Sequence, residues 1–238
     1  MIRDRLTLPA EVRARLDLTE GDLIAAGIAC RSRGALVEAR RSPEQPVELR
    51  SDGDTVGLGG YAAVFDVGYD VAGGPPWGWT ETIAPGAFTK ALREADDVRF
   101  LINHDGLPLA RTKPGTLTLA QDDVGLRVDV PELDLVNPDA VKLRSTLERG
   151  DVDQMSHAFI ALRQEWNDDY TERRILEVRL FDVSAVTYPA NDVTVIALRA
   201  AAGIDPDTGN GGPEPEQIAE RTGMPLSLAA AQAAALGV

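Results

Sequence analysis

The amino-acid sequence predicts a mainly β domain of the α+β class, in which the strands form a closed or partly open barrel flanked by a few helices. Two observations lead to this prediction. Short runs rich in valine, leucine and isoleucine recur along the middle of the 238-residue chain, separated by clusters of Gly, Pro, Asp and Asn. Only two segments of that region have the apolar spacing of a helix. Strands are therefore expected to outnumber helices.

Seven segments of the middle region are expected to be strands, because apolar and β-branched residues dominate them. They are residues 47–50, 56–65, 98–102, 116–120, 125–130, 152–162 and 174–186. Successive side chains of a strand point to opposite faces of a sheet. Asp182 and Ser184, two positions apart, are therefore expected to share a face.

Two helices are predicted, at residues 85–94 and 138–149. The second has clear end signals. Asn137 can cap its first turn, Pro138 suits the first helical position, and Gly150 suits the residue after its end.

The composition divides the chain into three regions. Residues 1–46 are expected to form an N-terminal appendage and linker, with a short amphipathic segment near residues 11–18 and short strands at 23–28 and 35–37. Residues 47–199 are the compact body. Residues 200–238 combine a linker rich in Gly, Pro, Asp and Glu with an Ala- and Leu-rich tail.

The charge of the chain restricts its partners. With 24 Lys and Arg against 38 Asp and Glu, the formal net charge is −14, and most of the excess falls in residues 51–200. Such a body repels phosphates, so a protein partner is expected and direct contact with nucleic acid is not. No apolar run approaches the roughly 18–20 residues that a membrane helix needs, so no membrane partner is expected either.

The scarcity of cysteine and histidine narrows the possible chemistry. One cysteine and two histidines argue against thiolate-based zinc sites and zinc hydrolase sites, and no phosphate-binding glycine loop is present. No metal and no cofactor are therefore expected. Ser156 remains as a candidate nucleophile, but its neighbour His157 would point to the opposite face of a strand. His104 therefore remains as the candidate base for Ser156. Asp182 is an acid within an apolar strand, where a carboxylate is costly unless a charged or hydrogen-bonding group pairs with it.

Several short motifs, in order, resemble the HK97-type phage prohead protease family, whose fold is similar to that of herpesvirus maturation proteases. The Asn-His-Asp motif contains His104, the motif ending in Met-Ser contains Ser156, and Phe-Asp-Val-Ser contains Asp182. The complete set is residues 60–65, 81–88, 103–105, 109–112, 125–126, 150–156 and 181–191.

The resemblance implies a role for each residue that matches these motifs. Ser156 would be the nucleophile, His104 the general base and Asp182 the third member, with Glu177 as the alternative acid because the family often has glutamate at the Asp182 position. The loop after that strand would help to bind the oxyanion, which makes candidates of Ala190 and Asn191.

The resemblance also implies a serine endopeptidase that processes capsid and scaffold proteins during prohead maturation. Its expected partners are the major capsid protein and its scaffold segment, and it is expected to cut itself and to associate as a dimer. It would act in the host cytoplasm, inside the assembling procapsid. The alternative is a noncatalytic capsid-assembly or scaffold protein with the same fold.

Overall fold

The computed structural model describes residues 8–16, 20–25, 28–32, 35–42, 46–52, 55–76 and 78–187. In these ranges the chain is mainly β, as the sequence predicts, with its strands in two sheets. None of the helices in the same ranges has both the length and the apolar character needed to cross a membrane. The linker and tail expected at 200–238 lie outside the described residues.

The elements are numbered in chain order. The helices are α1 (Ala10–Leu16), α2 (Glu20–Ala25), α3 (Thr89–Arg93) and α4 (Pro138–Arg149). The first six strands are β1 (Ala29–Ser32), β2 (Ala35–Arg41), β3 (Glu48–Asp52), β4 (Thr55–Val64), β5 (Tyr69–Val71) and β6 (Trp79–Ile83). The other strands are β7 (Arg99–Ile102), β8 (Asp105–Arg111), β9 (Thr118–Gln121), β10 (Gly125–Val130), β11 (Gln154–Trp166) and β12 (Glu172–Val186).

The larger sheet is organised around two long antiparallel strands, β11 and β12. Its main order is β1-β2-β11-β12-β6-β5, and the hairpin β7–β8 joins through β7. On the side of β12 that faces away from β11, two strands pair with it in parallel: β6 along its beginning and β7 along its end. The smaller sheet has the order β3-β4-β10-β9. The end of β12 therefore lies between β11 and β7, and this is where the candidate site forms.

The described strands do not close into a single barrel. Among them, β1 pairs with β2 alone, β5 with β6 alone and β8 with β7 alone, so the larger sheet has three free ends. A barrel needs its last strand to pair with its first. The prediction of a mainly β fold is confirmed, whereas a closed barrel is not found in this part of the chain.

One apolar core joins the two sheets to helices α3 and α4. Representative residues, all at most 2% exposed, are Leu58, Leu126, Phe159, Phe88 and Leu143. Burying side chains of this size contributes about 1.5–3 kcal/mol each. This packing fixes β4 against β11 and so supports the strand that carries Ser156.

All seven strands predicted in the middle region are present within a few residues. Helix α4 matches its predicted bounds: the Asn137 side chain accepts a hydrogen bond from the Asp139 N–H, and Gly150 has a left-handed φ of 75°. The other predicted helix, 85–94, is shorter, since residues 85–88 form turns before α3.

Some local predictions were wrong. The first half of the strand expected at 23–28 is the end of helix α2, because a short apolar run does not distinguish helix from strand. Leu23 packs in a small cluster with Val12 and Trp79. Strands β5, β6 and β8 were not predicted, and in β6 the buried Glu81 interrupts the apolar pattern.

A buried ionic cluster ties the N-terminal strands to the body. Glu38 and Arg40 on β2 meet Glu81 on β6 and Arg173 on β12, and each of the four is at most 3% exposed. Arg40 Nε donates to Glu81 Oε1 at 2.7 Å, and Arg173 Nη1 donates to Glu81 Oε2 at 2.9 Å. Both arginines also donate to Glu38. The two positive and two negative charges balance.

The charges in this cluster depend on one another. Burial alone would raise the pKa of Glu81, but the charges of Arg40 and Arg173 and the Arg40 hydrogen bonds lower that pKa to about 2. Removing one member of a buried ionic network leaves its partner uncompensated. The cluster therefore constrains how β2, β6 and β12 fit together.

Replacing Arg173 with alanine is expected to reduce the free energy of unfolding by about 3–5 kcal/mol, because it removes one buried positive charge that pairs with both Glu38 and Glu81. The matched control is Arg174→Ala on the same strand, which removes an exposed ion pair with Asp66 and should cost far less. Urea denaturation of the two variants measures the difference. Equal losses would contradict the importance of the cluster.

Candidate active site

His104 is presented by a tight two-residue turn between β7 and β8. Ile102 pairs with Asp105 across the turn, and the two residues between them, Asn103 and His104, have φ values of 51° and 59°. A left-handed conformation is unfavourable for residues other than glycine, so the surrounding structure must hold it. The turn belongs to the class in which both central residues have positive φ, the geometry that suits the twist of a hairpin.

The end of β12 supplies the contacts that hold this turn. The Asn103 N–H donates to the Ala185 carbonyl at 2.9 Å, and the Asn103 side-chain oxygen accepts from the Thr187 N–H at 3.0 Å. The His104 N–H donates to Ser184 Oγ at 3.2 Å. These bonds fix the imidazole above the strand that carries Asp182.

Ser156, His104 and Asp182 form a continuous hydrogen-bonded chain. Ser156 Oγ lies 2.7 Å from His104 Nε2, and His104 Nδ1 lies 2.6 Å from Asp182 Oδ1. An ionised carboxylate only accepts hydrogen bonds, so Nδ1 carries the proton and Nε2 is free to accept from the serine hydroxyl. The side chains of His104 and Asp182 are only 10% and 2% exposed. The order of groups is that of a serine hydrolase triad.

The strand register explains why these residues meet. Ser156 on β11 is directly opposite Ser184 on β12, and Asp182 lies two residues away on the same strand. β7 runs parallel to β12 on its other side, with Leu101 opposite Ser184, and so delivers the His104 turn to the same place. As the sequence predicts, Asp182 and Ser184 share a face: Ser184 Oγ lies 3.1 Å from Asp182 Oδ1.

Ser184 is a polar partner that the sequence analysis did not assign to the site. Its hydroxyl accepts from the His104 N–H and donates to Asp182 Oδ1, and the residue is fully buried. It therefore fixes both the histidine turn and the acid. Its position two residues from Asp182, on the same face of the predicted strand, was the feature of the sequence that could have identified it.

The Arg40 carbonyl is a second acceptor for the Ser156 hydroxyl. It lies 2.9 Å from Ser156 Oγ, because β2 pairs with β11 and places Arg41 opposite Ser156. The hydroxyl has one hydrogen, which goes either to His104 Nε2 or to this carbonyl. A backbone contact of this kind leaves no signal in the sequence.

Cys30 on β1 is also close to the site. Its sulfur, a His104 ring nitrogen and an Asp182 carboxylate oxygen all lie within 4.8 Å of one another. Burial and then the Asp182 charge raise the pKa of Cys30, so the thiol is protonated at neutral pH. Cys30 was not predicted as a site residue, because it lies in the predicted N-terminal appendage.

His157 points away from Ser156 and lies in the core, as the alternation of a strand predicts. Its Nδ1–H donates to the Ala62 carbonyl at 2.8 Å, and its ring stacks on Phe159 at a centroid distance of 5.0 Å. Burial lowers its pKa to about 4, so it is neutral near pH 7. It contacts neither Ser156 nor Asp182 through any hydrogen bond of the described residues.

The remaining candidates lie elsewhere. Glu177, the alternative acid, pairs with Lys90 Nζ at 2.9 Å and is not part of the chain of hydrogen bonds. Ala190 and Asn191, the oxyanion candidates, lie outside the described residues.

Replacing His157 with phenylalanine is expected to weaken the loss of stability in acid. Between about pH 6.5 and pH 4 the unfolded chain binds a proton at this histidine that the folded chain does not, so the stability of the native protein falls as the pH falls through that window. The fall in unfolding free energy from pH 7.5 to pH 4.5 should be smaller in the variant by about 2–3 kcal/mol.

Urea denaturation at both pH values measures this difference, and the value at pH 7.5 alone reports any cost of the altered packing. Identical pH dependence in the two proteins would show that His157 is not held neutral by burial.

Comparison with known proteins places the chain in a family. No curated protein sequence matches it significantly. Among solved structures, the capsid assembly protease gp21 of bacteriophage T4 is similar to it at 14% identity and a TM-score of 0.39, over 64% of this chain and 96% of that one. The family model described as caudovirus prohead serine protease matches residues 45–205. That match covers more than half of the chain and the three hydrogen-bonded residues, so the chain belongs to the caudovirus prohead serine protease family.

Proposed function

We propose that this serine protease of capsid maturation cuts peptide bonds with Ser156 as nucleophile, His104 as general base and Asp182 as the orienting acid. The observation that carries the proposal is the unbroken chain of hydrogen bonds from Ser156 Oγ through the His104 ring to Asp182 Oδ1. Each contact is within the reach of about 2.6–3.2 Å that proton transfer requires.

The geometry supports acylation by a defined set of proton movements. Ser156 Oγ attacks the carbonyl carbon of the scissile bond while His104 Nε2 takes the hydroxyl proton. The imidazolium then gives that proton to the leaving amine as the C–N bond breaks, and an acyl-enzyme remains. Water, deprotonated by His104, hydrolyses the ester and restores Ser156. Asp182 stays ionised throughout and stabilises the imidazolium.

Strand β12 holds the catalytic histidine in position before the substrate binds. Asp182 and Ser184 are buried and joined to each other and to the His104 turn, so the histidine loses little freedom when the reaction begins. A rigid base at hydrogen-bond distance from the nucleophile reduces the entropic part of the barrier. Ala190 and Asn191 remain the proposed oxyanion loop, based on the family resemblance.

The proposed substrates are the major capsid protein and its scaffold segment, cut inside the assembling procapsid in the host cytoplasm. Family membership supports the procapsid setting. The net charge of −14 is consistent with a protein substrate rather than DNA. Self-cleavage in residues 203–216 and association as a dimer also belong to the proposal. Segments rich in small and polar residues are where proteolytic nicking concentrates.

The proposal also covers the bounds of the protease domain and its wider fold. The proposed protease domain is residues 47–199, which the family match at 45–205 supports, with appendages on both sides. A fold similar to that of herpesvirus maturation proteases is proposed from the resemblance, with the nucleophile and the acid on adjacent antiparallel strands in its favour.

The alternative of a noncatalytic assembly protein is less well supported. A protein with only a binding role would not need a buried acid joined to a histidine in a left-handed turn. Such strained, buried polar groups are costly and are typical of working sites.

Replacing Ser156 with alanine should lower the rate of cleavage of capsid precursor by about 10⁴-fold or more, because no other group can form the acyl-enzyme. The control is Ser145→Ala, which alters an exposed serine on helix α4 and should leave cleavage unchanged. Co-expression of each variant with capsid precursor, followed by gel analysis of the products, gives the measurement.

Normal processing by the Ser156→Ala variant would reject Ser156 as the nucleophile. Loss of processing in both variants would reject the assignment as well, since it would place the effect outside the site.

A further inference from the structure

The thiol of Cys30, the ring of His104 and the carboxylate of Asp182 come from three different segments, and their donor atoms lie within 4.8 Å of one another. We propose that these three groups form an inhibitory site for a thiophilic divalent cation of the Zn²⁺ class. The proposal rests on the proposed function, because His104 and Asp182 are also the base and the acid of the cleavage mechanism. Bound metal would hold the protease in an inactive state.

The donor set suits such a cation. Zn²⁺ is bound in proteins by Cys sulfur, His nitrogen and Asp oxygen, at bond lengths of about 2.0–2.3 Å. Here one atom of each kind lies within 4.8 Å of the other two. Ligand atoms around a tetrahedral metal are about 3–4 Å apart at these bond lengths. Small movements of the three side chains would therefore bring their donor atoms to the spacing that a tetrahedral metal needs.

A buried oxygen without a partner points to a missing ligand. Asp182 Oδ2 is inaccessible and has no hydrogen-bond partner among the described residues, although Oδ1 bonds both His104 and Ser184. A buried carboxylate oxygen normally has a partner, and one that does not requires an explanation. A cation between Cys30 and Asp182 would satisfy it.

In the metal-bound state, the ring proton of His104 and the hydroxyl proton of Ser156 would each still have a hydrogen-bond acceptor. Metal on His104 Nδ1 requires the ring proton to move to Nε2, and the Cys30 thiol proton is released to solvent. Nε2–H can then donate to Ser156 Oγ across the existing 2.7 Å contact. The Ser156 hydroxyl in turn donates to the Arg40 carbonyl, which lies 2.9 Å away.

This arrangement explains why the bound metal would inhibit. With its proton on Nε2, His104 cannot accept the proton of Ser156, and a dication on Nδ1 opposes formation of the imidazolium. At the same time, the hydroxyl of Ser156 donates its hydrogen bond to the Arg40 carbonyl. Base and nucleophile are therefore both inactive until the metal leaves.

The thiol ligand belongs to the N-terminal hairpin. Cys30 lies outside the family match, which begins at residue 45, and it packs with Val37, Ala39, Ala158 and Phe181. The pairing of β2 with β11 carries β1 to the site. Metal sensitivity would then be a property that the hairpin gives to this protease.

Metal binding is measured first, on the full chain with Ser156→Ala, which keeps all three ligands. Co²⁺ serves as the spectroscopic probe, because coordination by a thiolate adds a charge-transfer absorption in the near ultraviolet. Zn²⁺ affinity is obtained by competition with a chromophoric chelator. We expect one strongly bound ion per chain and the charge-transfer band. Adding Cys30→Ala should remove the band and weaken Zn²⁺ binding at least tenfold.

The control for binding by surface carboxylates is Asp105→Asn, an exposed acid next to His104, which should retain both the band and the affinity. Cys30→Ser serves as a second variant if Cys30→Ala does not fold. Absence of the band in the chain with Cys30 intact, or equal Zn²⁺ affinity with and without Cys30, would overturn the proposal.

Inhibition is measured on the active chain, with each protein compared with its own metal-free rate. Stoichiometric Zn²⁺ should abolish cleavage of capsid precursor, a chelator should restore it, and Cys30→Ala should lower the sensitivity at least tenfold. An active protease that Zn²⁺ does not inhibit would reject the regulatory role alone. Cleavage that persists in the Ser156→Ala variant would reject the proposed function while leaving the metal-binding result intact.

Discussion

The attachment of the His104 turn to the end of β12 is the constraint on which the candidate site depends. Parallel pairing of β7 with β12 brings the turn to Asp182, and three hydrogen bonds from residues 184–187 hold its backbone in an unfavourable conformation. The strained turn has a use, because it lets the imidazole contact residues on both β11 and β12. Ser156 and Asp182 are then within reach of its two nitrogens.

The N-terminal strands contribute more to the site than their sequence indicates. β2 lies against β11, places the Arg40 carbonyl on Ser156 and sends the Arg40 side chain into the buried ionic cluster. One residue therefore links the nucleophile to Glu81 through its backbone and its side chain. This pairing also carries Cys30 to the acid of the site, so the hairpin that precedes the family-specific region shapes the environment of its chemistry.

Local patterns were enough to predict most of the fold, and together with the family resemblance they singled out the groups of the candidate site. Helix α4 was predictable to the residue because its cap, its proline and its final glycine all agree. Ser156 and His104 could be singled out because the chain has only two histidines and strand alternation separates Ser156 from His157, whereas the role of Asp182 followed from the family resemblance.

Other features depend on contacts between distant segments, which a local pattern does not contain. Strand β6 was missed because its inward residue Glu81 is charged and becomes acceptable only when Arg40 and Arg173 meet it. The positions of Cys30 and the Arg40 carbonyl follow from the pairing of β2 with β11. The pairing of β12 with both β6 and β7 along one edge is likewise a contact between distant segments, and no local pattern predicts it.

The central claim is that His104 activates Ser156 as a nucleophile. A fluorophosphonate that reacts with activated serines tests it directly, with the adduct located by peptide mass spectrometry. We expect one adduct per chain, on Ser156, formed at least 100-fold more slowly in a His104→Ala variant. An adduct on another residue, no adduct at all, or an unchanged rate without His104 would contradict it.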